Sequence, residues 1–281
     1  MVEQVKVYRS TSNYSVIQIL KDSLNGYKNS FYLAKQLAKR DISAQYRQSI
    51  LGIFWAIAPV LMSAFVWIFL NKTGTIQLSK TNIPYPLFVV IGTTIWSIFT
   101  DCLLLSITSV NANKSIITKI NFDKEALVTL GIIKLFFNML IKFGLVVILM
   151  IYFKVAISSS ILFFIPILIL SIIALTSVGV LITPLGALYG DIARVIPVAM
   201  QILMYLAPVV YNCPKEGIMR VMMNWNPLTY IITDLRNTLT GYGIENWHFM
   251  IGFAIVTLFI SFFSLLVYRI AMPIITERMS A

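Results

Sequence analysis

FYLAKQLAKRDISAQYRQSILGIFWAIAP, residues 31–59, joins a basic amphipathic segment to a long apolar run with no linker between them. Plotted at helical spacing, Gln36, Lys39, Arg40, Ser43 and Arg47 fall on one side. Phe31, Ala34, Leu37, Ala38 and Ile42 fall on the other, interrupted by Asp41 and Gln45. Such a helix, expected over 31–48, lies in the headgroup layer with its stems in lipid and its charges toward water. The chain then turns into the membrane near Gly52. Two roles are open to this helix: an anchor for the first span alone, or an anchor that also docks a partner.

Composition agrees with a membrane protein. The 281 residues are 58 % hydrophobic and only 12 % charged, with a mean hydropathy of +0.85, whereas soluble domains carry about 25 % charge. The net charge of +11 would suggest nucleic acid in a soluble chain. Here the basic residues sit in short loops and near the N-terminus, so membrane orientation accounts for them and no nucleic-acid partner is expected. Residues 1–30 read as a polar extension without a cleavable signal peptide, open to a short strand or a helix lying on another surface. Cys102 and Cys213 are too few for a disulfide framework or a metal site. His248, beside Trp247, reads as an interfacial residue.

Hydropathy predicts an all-α membrane protein with six transmembrane helices, at about 51–70, 86–108, 127–152, 160–183, 193–211 and 247–268. With the N-terminus inside, the cytoplasmic segments would be 1–50, 109–126, 184–192 and the C-terminal tail. These hold Lys6, Arg9, Lys21, Lys28, Lys35, Lys39, Arg40, Arg47, Lys114, Lys119, Lys124, Arg269 and Arg278, against Lys72, Lys80, Lys154, Lys215, Arg220 and Arg236 outside. The balance places both termini in the cytoplasm. Residues 31–281 read as one transmembrane domain.

Ionisable residues at membrane depth normally face protein or water. Lys134, Asn138 and Lys142 recur every fourth residue and make one polar stripe. Asp101 in the second span would sit about 22 Å below its outer end and Lys134 about 10 Å above the inner end. In a hydrocarbon layer of about 30 Å these depths nearly match, so an Asp101–Lys134 pair is expected. The competing arrangement has Lys134 reaching the inner headgroups and Asp101 met by Thr100 or Ser97. Lys142 either lines a wet path or bonds a neighbouring helix. Tyr85, Trp96, Trp225, Tyr230, Tyr242 and Trp247 suit membrane-interface anchoring, although aromatic faces also suit sugar rings. Between spans five and six, residues 212–246 predict two short outer helices. Pro214 would start the first; Asn226 and Pro227 mark the boundary before the second, which ends at Gly241. Half-inserted, they would shape an outer mouth, with Tyr230 at the second helix's start.

The chain carries no GxxxxGK[ST] loop, HExxH, GxSxG or Cys/His cluster, so no bound nucleotide, metal or catalytic constellation is expected. Five blocks occur in order: RDISAQYRQSILGIFWAIAP (40–59), IPYPLFVVIGTTIWSIF (83–99), ANKSIITKINFDKEAL (112–127), LGALYGDIARVIPVAMQILMYLAPVVY (185–211) and NPLTYIITDLRNTLTG (226–241), followed by PIITERMSA at the end. Together they resemble the permease subunit of bacterial type-2 ABC exporters, in the branch that exports lipopolysaccharide O-antigen, capsule or teichoic acid. The resemblance covers nearly the whole chain after residue 30. Phe122 is followed by Asp123 and Lys124 where the family often has proline and a basic residue, and Gly190 precedes Asp191 where it often has a basic one.

That resemblance implies an inner-membrane homodimer with two separate ATP-binding-cassette ATPases beneath it, which carry the ATP and Mg. It implies ATPase contacts at Lys39, Arg40 and Arg47, then Asn113, Lys114, Ile117, Lys119, Phe122 and Asp123, then Tyr189, Asp191 and Arg194. It implies a substrate path between the protomers for a polyprenyl-pyrophosphate-linked glycan, lined by the first and fifth spans, with Trp55 and Tyr205 as candidates. Arg40, Arg47, Lys134, Asn138 and Lys142 are the polar path candidates, and Pro214, Asn226, Pro227 and Tyr230 the outer gate. Two other readings compete: a permease of the same superfamily for a drug or small lipid, and a membrane-embedded glycan-processing enzyme. A scaffold with no path is a further alternative.

Overall fold

The computed structural model describes residues 15–47, 49–74, 81–155 and 158–280. Lys6, Arg9, Gln48 and Lys80, and most of the first half of the expected 1–30 extension, lie outside the described residues. The elements are all helical: α1 (Val16–Arg47), α2 (Phe54–Lys72), α3 (Tyr85–Ala112), α4 (Lys114–Ile117), α5 (Glu125–Tyr152), α6 (Ile161–Leu188), α7 (Gly190–Tyr205), α8 (Ile218–Trp225), α9 (Pro227–Thr240) and α10 (Trp247–Ser280). Among the described residues five helices are long and apolar enough to cross a bilayer: α2, α3, α5, α6 and, over Trp247–Arg278, α10.

α3 is the hub. Leu87 through Phe99 is buried almost without a break, because α2, α5, α6, α7 and α9 all pack on it. The other long helices leave large apolar side chains bare, such as Phe65 and Phe69 on α2 and Phe259 on α10. That pattern suits helices whose outer faces meet lipid.

Three expected boundaries move. α1 begins 15 residues before the expected start at 31, so part of the polar extension is helix. Its buried face, Ser23, Gly26, Ser30, Ala34, Leu37 and Ala38, is built of small residues that let it lie close along α5 and α10. A stripe of Ser and Gly carries little hydropathy, so the pattern did not announce it. The inner loop expected at 184–192 is a single joint: α6 runs through Pro184 to Leu188, and only Tyr189 separates it from α7. Pro184 costs one helical hydrogen bond, but Gly186 and Ala187 beyond it are buried and keep the helix packed. The expected fifth span, 193–211, is helical only to Tyr205. The 16 residues of α7 reach about 24 Å, short of a hydrocarbon layer of about 30 Å. Pro208 biases Ala207 away from helix, and Ala207–Val210 is instead a buried irregular segment.

Candidate functional site

The polar stripe of α5 is met rung by rung. Lys134 Nζ lies 3.8 Å from Asp41 Oδ2 at the end of α1. The Tyr46 hydroxyl, one turn further along α1, donates to Asn138 Oδ1 at 3.1 Å. Lys142 Nζ donates to Asp101 Oδ2 at 2.5 Å and to Ser97 Oγ at 2.8 Å, both on α3. The expected Asp101–Lys134 pair is therefore not formed; Asp101 belongs to Lys142. The height of Lys134 was judged well but its direction was not. Gly131 of α5 packs on Leu105 of α3 and marks the face turned to α3. Lys142, eleven residues later, returns to within about 20° of that direction, whereas Lys134, three residues later, is turned about 60° away. The lysine stem leans back toward the helix N-terminus, in the direction of Asp101. Asp41, which reads in the sequence as a flaw in an apolar face, is the acid that receives Lys134. Its signal was its position: a carboxylate on the buried side of an amphipathic helix needs a cation.

The same end of α1 reaches the turn after α3. Arg40 Nη2 sits 2.7 Å from Asp41 Oδ1 and 2.6 Å from Asn113 Oδ1. Asn113 is fully buried and its amide donates to the Ser109 carbonyl at 2.9 Å, satisfying one orphan acceptor at the end of α3. Lys114 Nζ donates to the Ala187 carbonyl at 3.3 Å, so the turn after α3 and the α6–α7 joint stand side by side. Ile117 is buried in the core. Phe122 lies under the Lys124 ammonium, 4.5 Å from its ring centre. Asp123 faces Arg269 of α10 at 3.4 Å. That arginine also grips the buried Glu125 with 2.9 Å to each oxygen, and the neighbouring Tyr268 hydroxyl donates to the Lys124 carbonyl.

Of the ATPase contacts that the resemblance implies, Asn113 and Ile117 are buried and Asp123 is half-buried against Arg269. They hold the turn after α3 in shape. Lys39, Arg47, Lys119, Tyr189, Asp191 and Arg194 remain on the surface. Asp191 and Arg194 form an exposed pair at 3.5 Å, of the kind worth under about 1 kcal/mol.

The seven path candidates fall into two groups. Arg40, Lys134, Asn138 and Lys142 belong to the ladder between α1, α5 and α3, with Arg47 exposed beside Tyr46 at the end of α1. Trp55 and Tyr205 are exposed on α2 and α7, which both pack on α3. There, between α2, α3 and α7, lies a cavity of about 200 Å³ lined by Pro59, Ser63, Thr93, Ser97, Thr100 and Gln201 among others. Trp96 Nε1 donates to the Met200 carbonyl at 3.1 Å and fastens α7 to α3 beside it. Ser97 joins the two groups, since it lines the cavity and also accepts from Lys142.

On the opposite end, α8 starts at Ile218 after Gly217 with φ +94°, not at Pro214, which lies in the half-buried loop before it. A left-handed residue cannot continue into a helix, so the first turn forms only after it. Asn226 caps α9 as expected: its side-chain oxygen accepts from the Leu228 N–H at 3.0 Å, Pro227 follows, and Gly241 closes the helix at φ +95°. The Asn226 amide also donates to the Leu206 carbonyl at 2.9 Å. The Tyr230 hydroxyl donates to the Asn224 carbonyl at 2.9 Å. Arg236, buried in α9, donates from Nη2 to the Pro208 and Val209 carbonyls at 2.8 Å each and lies 3.6 Å over the Phe88 ring. Asp234 receives the Glu245 and Asn246 backbone N–H groups and the Asn246 amide at 3.0–3.2 Å. Burial pushes its carboxyl up from the ordinary value while those three donors pull it down. These two side chains, which the sequence reading passed over, bolt α9 to the broken end of α7 and to the start of α10.

Among the described residues no group of three or more His, Cys, Asp or Glu could hold a metal ion. Residues 32–240 match the family described as ABC-2 type transporter. An O-antigen export system permease protein RfbA of Klebsiella pneumoniae is 23 % identical over 250 residues, 86 % of this chain and 94 % of that protein. A protein of the same name from Myxococcus xanthus is 21 % identical over 204 residues, 70 % of this chain and 76 % of that one. With more than half its length matched, this all-α, multi-pass chain belongs to the ABC-2 family of membrane transport permeases and is a transport subunit, not an enzyme.

Proposed function

We propose that the chain is the membrane-spanning half of an ATP-driven exporter of a lipid-linked polysaccharide across the bacterial inner membrane. The likeness to O-antigen export permeases over most of the chain supports the substrate class. In this reading residues 31–281 act as one permease domain with both termini cytoplasmic. The bilayer is crossed six times, α7 and the buried segment after it serving together as the fifth crossing. α8 and α9, with Pro214, Asn226, Pro227 and Tyr230, form the outer gate. Two copies meet through α2 and α7, whose exposed Met62, Phe65, Val198 and Ile202 have no cover within one chain, and the glycan passes between them.

The observation that carries the mechanism is the chain of contacts from the inner turn to membrane depth: Asn113, Arg40, Asp41 and Lys134, then Tyr46 and Asn138 on the same two helices, with Lys142 and Asp101 above. Two ATP-binding cassettes, docked at Lys39, Arg47, Lys119, Tyr189, Asp191 and Arg194, would pull on the inner turns as they close on ATP and Mg. Arg40 and Lys114 would pass that displacement to α1 and α6, and so to the helices around the cavity. Lys142 holds Ser97 at the edge of that cavity; Arg47, still exposed, is placed to meet an anionic pyrophosphate near the inner surface.

The test is reconstitution in vesicles with a partner ATPase and a labelled polyprenyl-pyrophosphate glycan. Expected is ATP-dependent movement that stops when Arg40 is changed to Ala, with the ATPase still bound. Movement without any ATPase, or a complex that moves only small lipids, would contradict the proposal.

A further inference from the structure

Three aromatic residues that read in the sequence as lipid-interface anchors, Trp225, Tyr230 and Trp247, are brought by the fold to one place. Interface anchors need share only a depth and can spread round the perimeter. These come from three successive elements and surround a single cavity of about 540 Å³, with Phe249 as a fourth wall. Trp225 closes α8, Tyr230 lies in the first turn of α9, and Trp247 opens α10. The volume falls within the ~300–1,000 Å³ usual for small-ligand sites.

Two of the walls, Tyr230 and Trp247, are braced within the chain. The Tyr230 ring stacks on Phe249 with centroids 4.5 Å apart, and its hydroxyl is tied to the Asn224 carbonyl. Trp247 stands edge-on to Phe163 at 5.5 Å. Trp225 is 84 % exposed and Trp247 50 %, so much of each ring is open to a ligand. Between the rings lie Asn224, Glu245, Asn246 and His248. Asn246 is steadied by Asp234, and Glu245 by the Asn237 amide at 2.8 Å.

The chemistry of this lining is selective. No Lys or Arg is in it, so a phosphate or carboxylate finds no counter-charge and would meet Glu245 instead. Flat apolar faces set among amide and carboxylate groups match a ring that is C–H on its faces and hydroxyl on its rim. We propose that the cavity is a saccharide subsite at the outer mouth, taking one pyranose ring of the exported chain after it has crossed. The occupant follows from the exporter reading above; the site itself follows from the converging aromatics. Held there, each emerging sugar would be slowed from slipping back while the gate resets.

The experiment uses the full chain in phosphatidylglycerol nanodiscs, whose headgroup carries neither choline nor sugar. Methyl glycosides of hexoses, N-acetylhexosamines and deoxyhexoses are followed by saturation-transfer NMR, with choline and inorganic phosphate as comparison ligands. Expected is saturable transfer to at least one glycoside with a Kd of about 1–100 mM. Trp225→Ala and Trp247→Ala each weaken it about tenfold or more, while Tyr152→Ala, an exposed aromatic at the end of α5, does not. Because Trp225 is nearly fully exposed, its loss leaves the fold intact and keeps the test sound. Absence of transfer to every glycoside overturns the proposal. Transfer that survives both tryptophan changes, or tryptophan-dependent binding of choline alone, also overturns it. Vesicle export separates the two ideas: export with no glycoside binding removes the subsite only, and glycoside binding with no export removes the exporter reading only.

Discussion

Gly92→Ala is the sharpest test of how α9 and the segment after α7 are held on α3. Gly92 lies on α3 where the irregular segment after α7 crosses it. A Cβ there would stand 1.9 Å from the Val209 carbonyl oxygen and 2.6 Å from Arg236 Nη2. Ordinary contact begins at 3.4 Å, so the Val209 backbone must retreat by about 1.5 Å. Overpacking of this kind costs about 1–3 kcal/mol. The retreat also breaks one of the two hydrogen bonds of the buried Arg236, and a bond to a charged group is worth about 1.5–3 kcal/mol. Alanine returns about 1 kcal/mol of helix propensity. The net expectation is a loss of about 2–5 kcal/mol, measured by reversible unfolding in mixed micelles of increasing SDS. Gly144→Ala on α5 is the control, since nothing lies within 4 Å of its added methyl, and it should be neutral or slightly stabilising. Combined with Arg236→Met, the Gly92→Ala loss should be markedly less than additive, because both changes act on one contact. A Gly92→Ala protein as stable as the parent, or full additivity in the pair, would refute the reasoning.

Three further outcomes follow from the contacts. At the Lys142–Asp101 pair the lysine side chain is 6 % exposed and the aspartate 37 %, so Asp101→Asn, which strands a buried ammonium, should cost about 2–4 kcal/mol and Lys142→Met distinctly less. Equal losses in the same micelle titration would show that burial does not set the order. Asn226→Ala removes both the α9 cap and the bond to Leu206 and should cost about 1–2 kcal/mol; unchanged unfolding would mean that the cap does not hold α9. Val198→Cys, on the uncovered face of α7, should form an oxidised dimer in membranes while Phe259→Cys on α10 does not. The opposite pattern would move the protomer contact to another face.

Much of this architecture was legible before any coordinates. Transfer of apolar side chains into lipid is a nearly additive free energy along a window, so α2, α3, α5, α6 and α10 stand out whatever their neighbours are. The cap of α9 was legible for the same reason, since Asn226, Pro227 and Gly241 act within a few residues of the chain. The polar stripe of α5 could be seen as a stripe, and its lysines recognised as needing partners.

Which partner each lysine takes depends on direction around a helix, and that is decided by where Gly131 lets α5 press on α3 and by α1 climbing beside them. Local energy is silent on both. The same holds for Asn113, Ile117 and Asp123, whose partners, Arg40, the core and Arg269, lie far off in the chain. It holds for α7, whose hydropathy continues past Tyr205 although Arg236, 31 residues on, binds the carbonyls of its broken end. Periodicity and transfer energy are properties of a segment, so they mark the long apolar helices. The pairing of buried charges and the convergence of aromatics depend on distances between segments remote in the chain, and those exist only once the helices have packed.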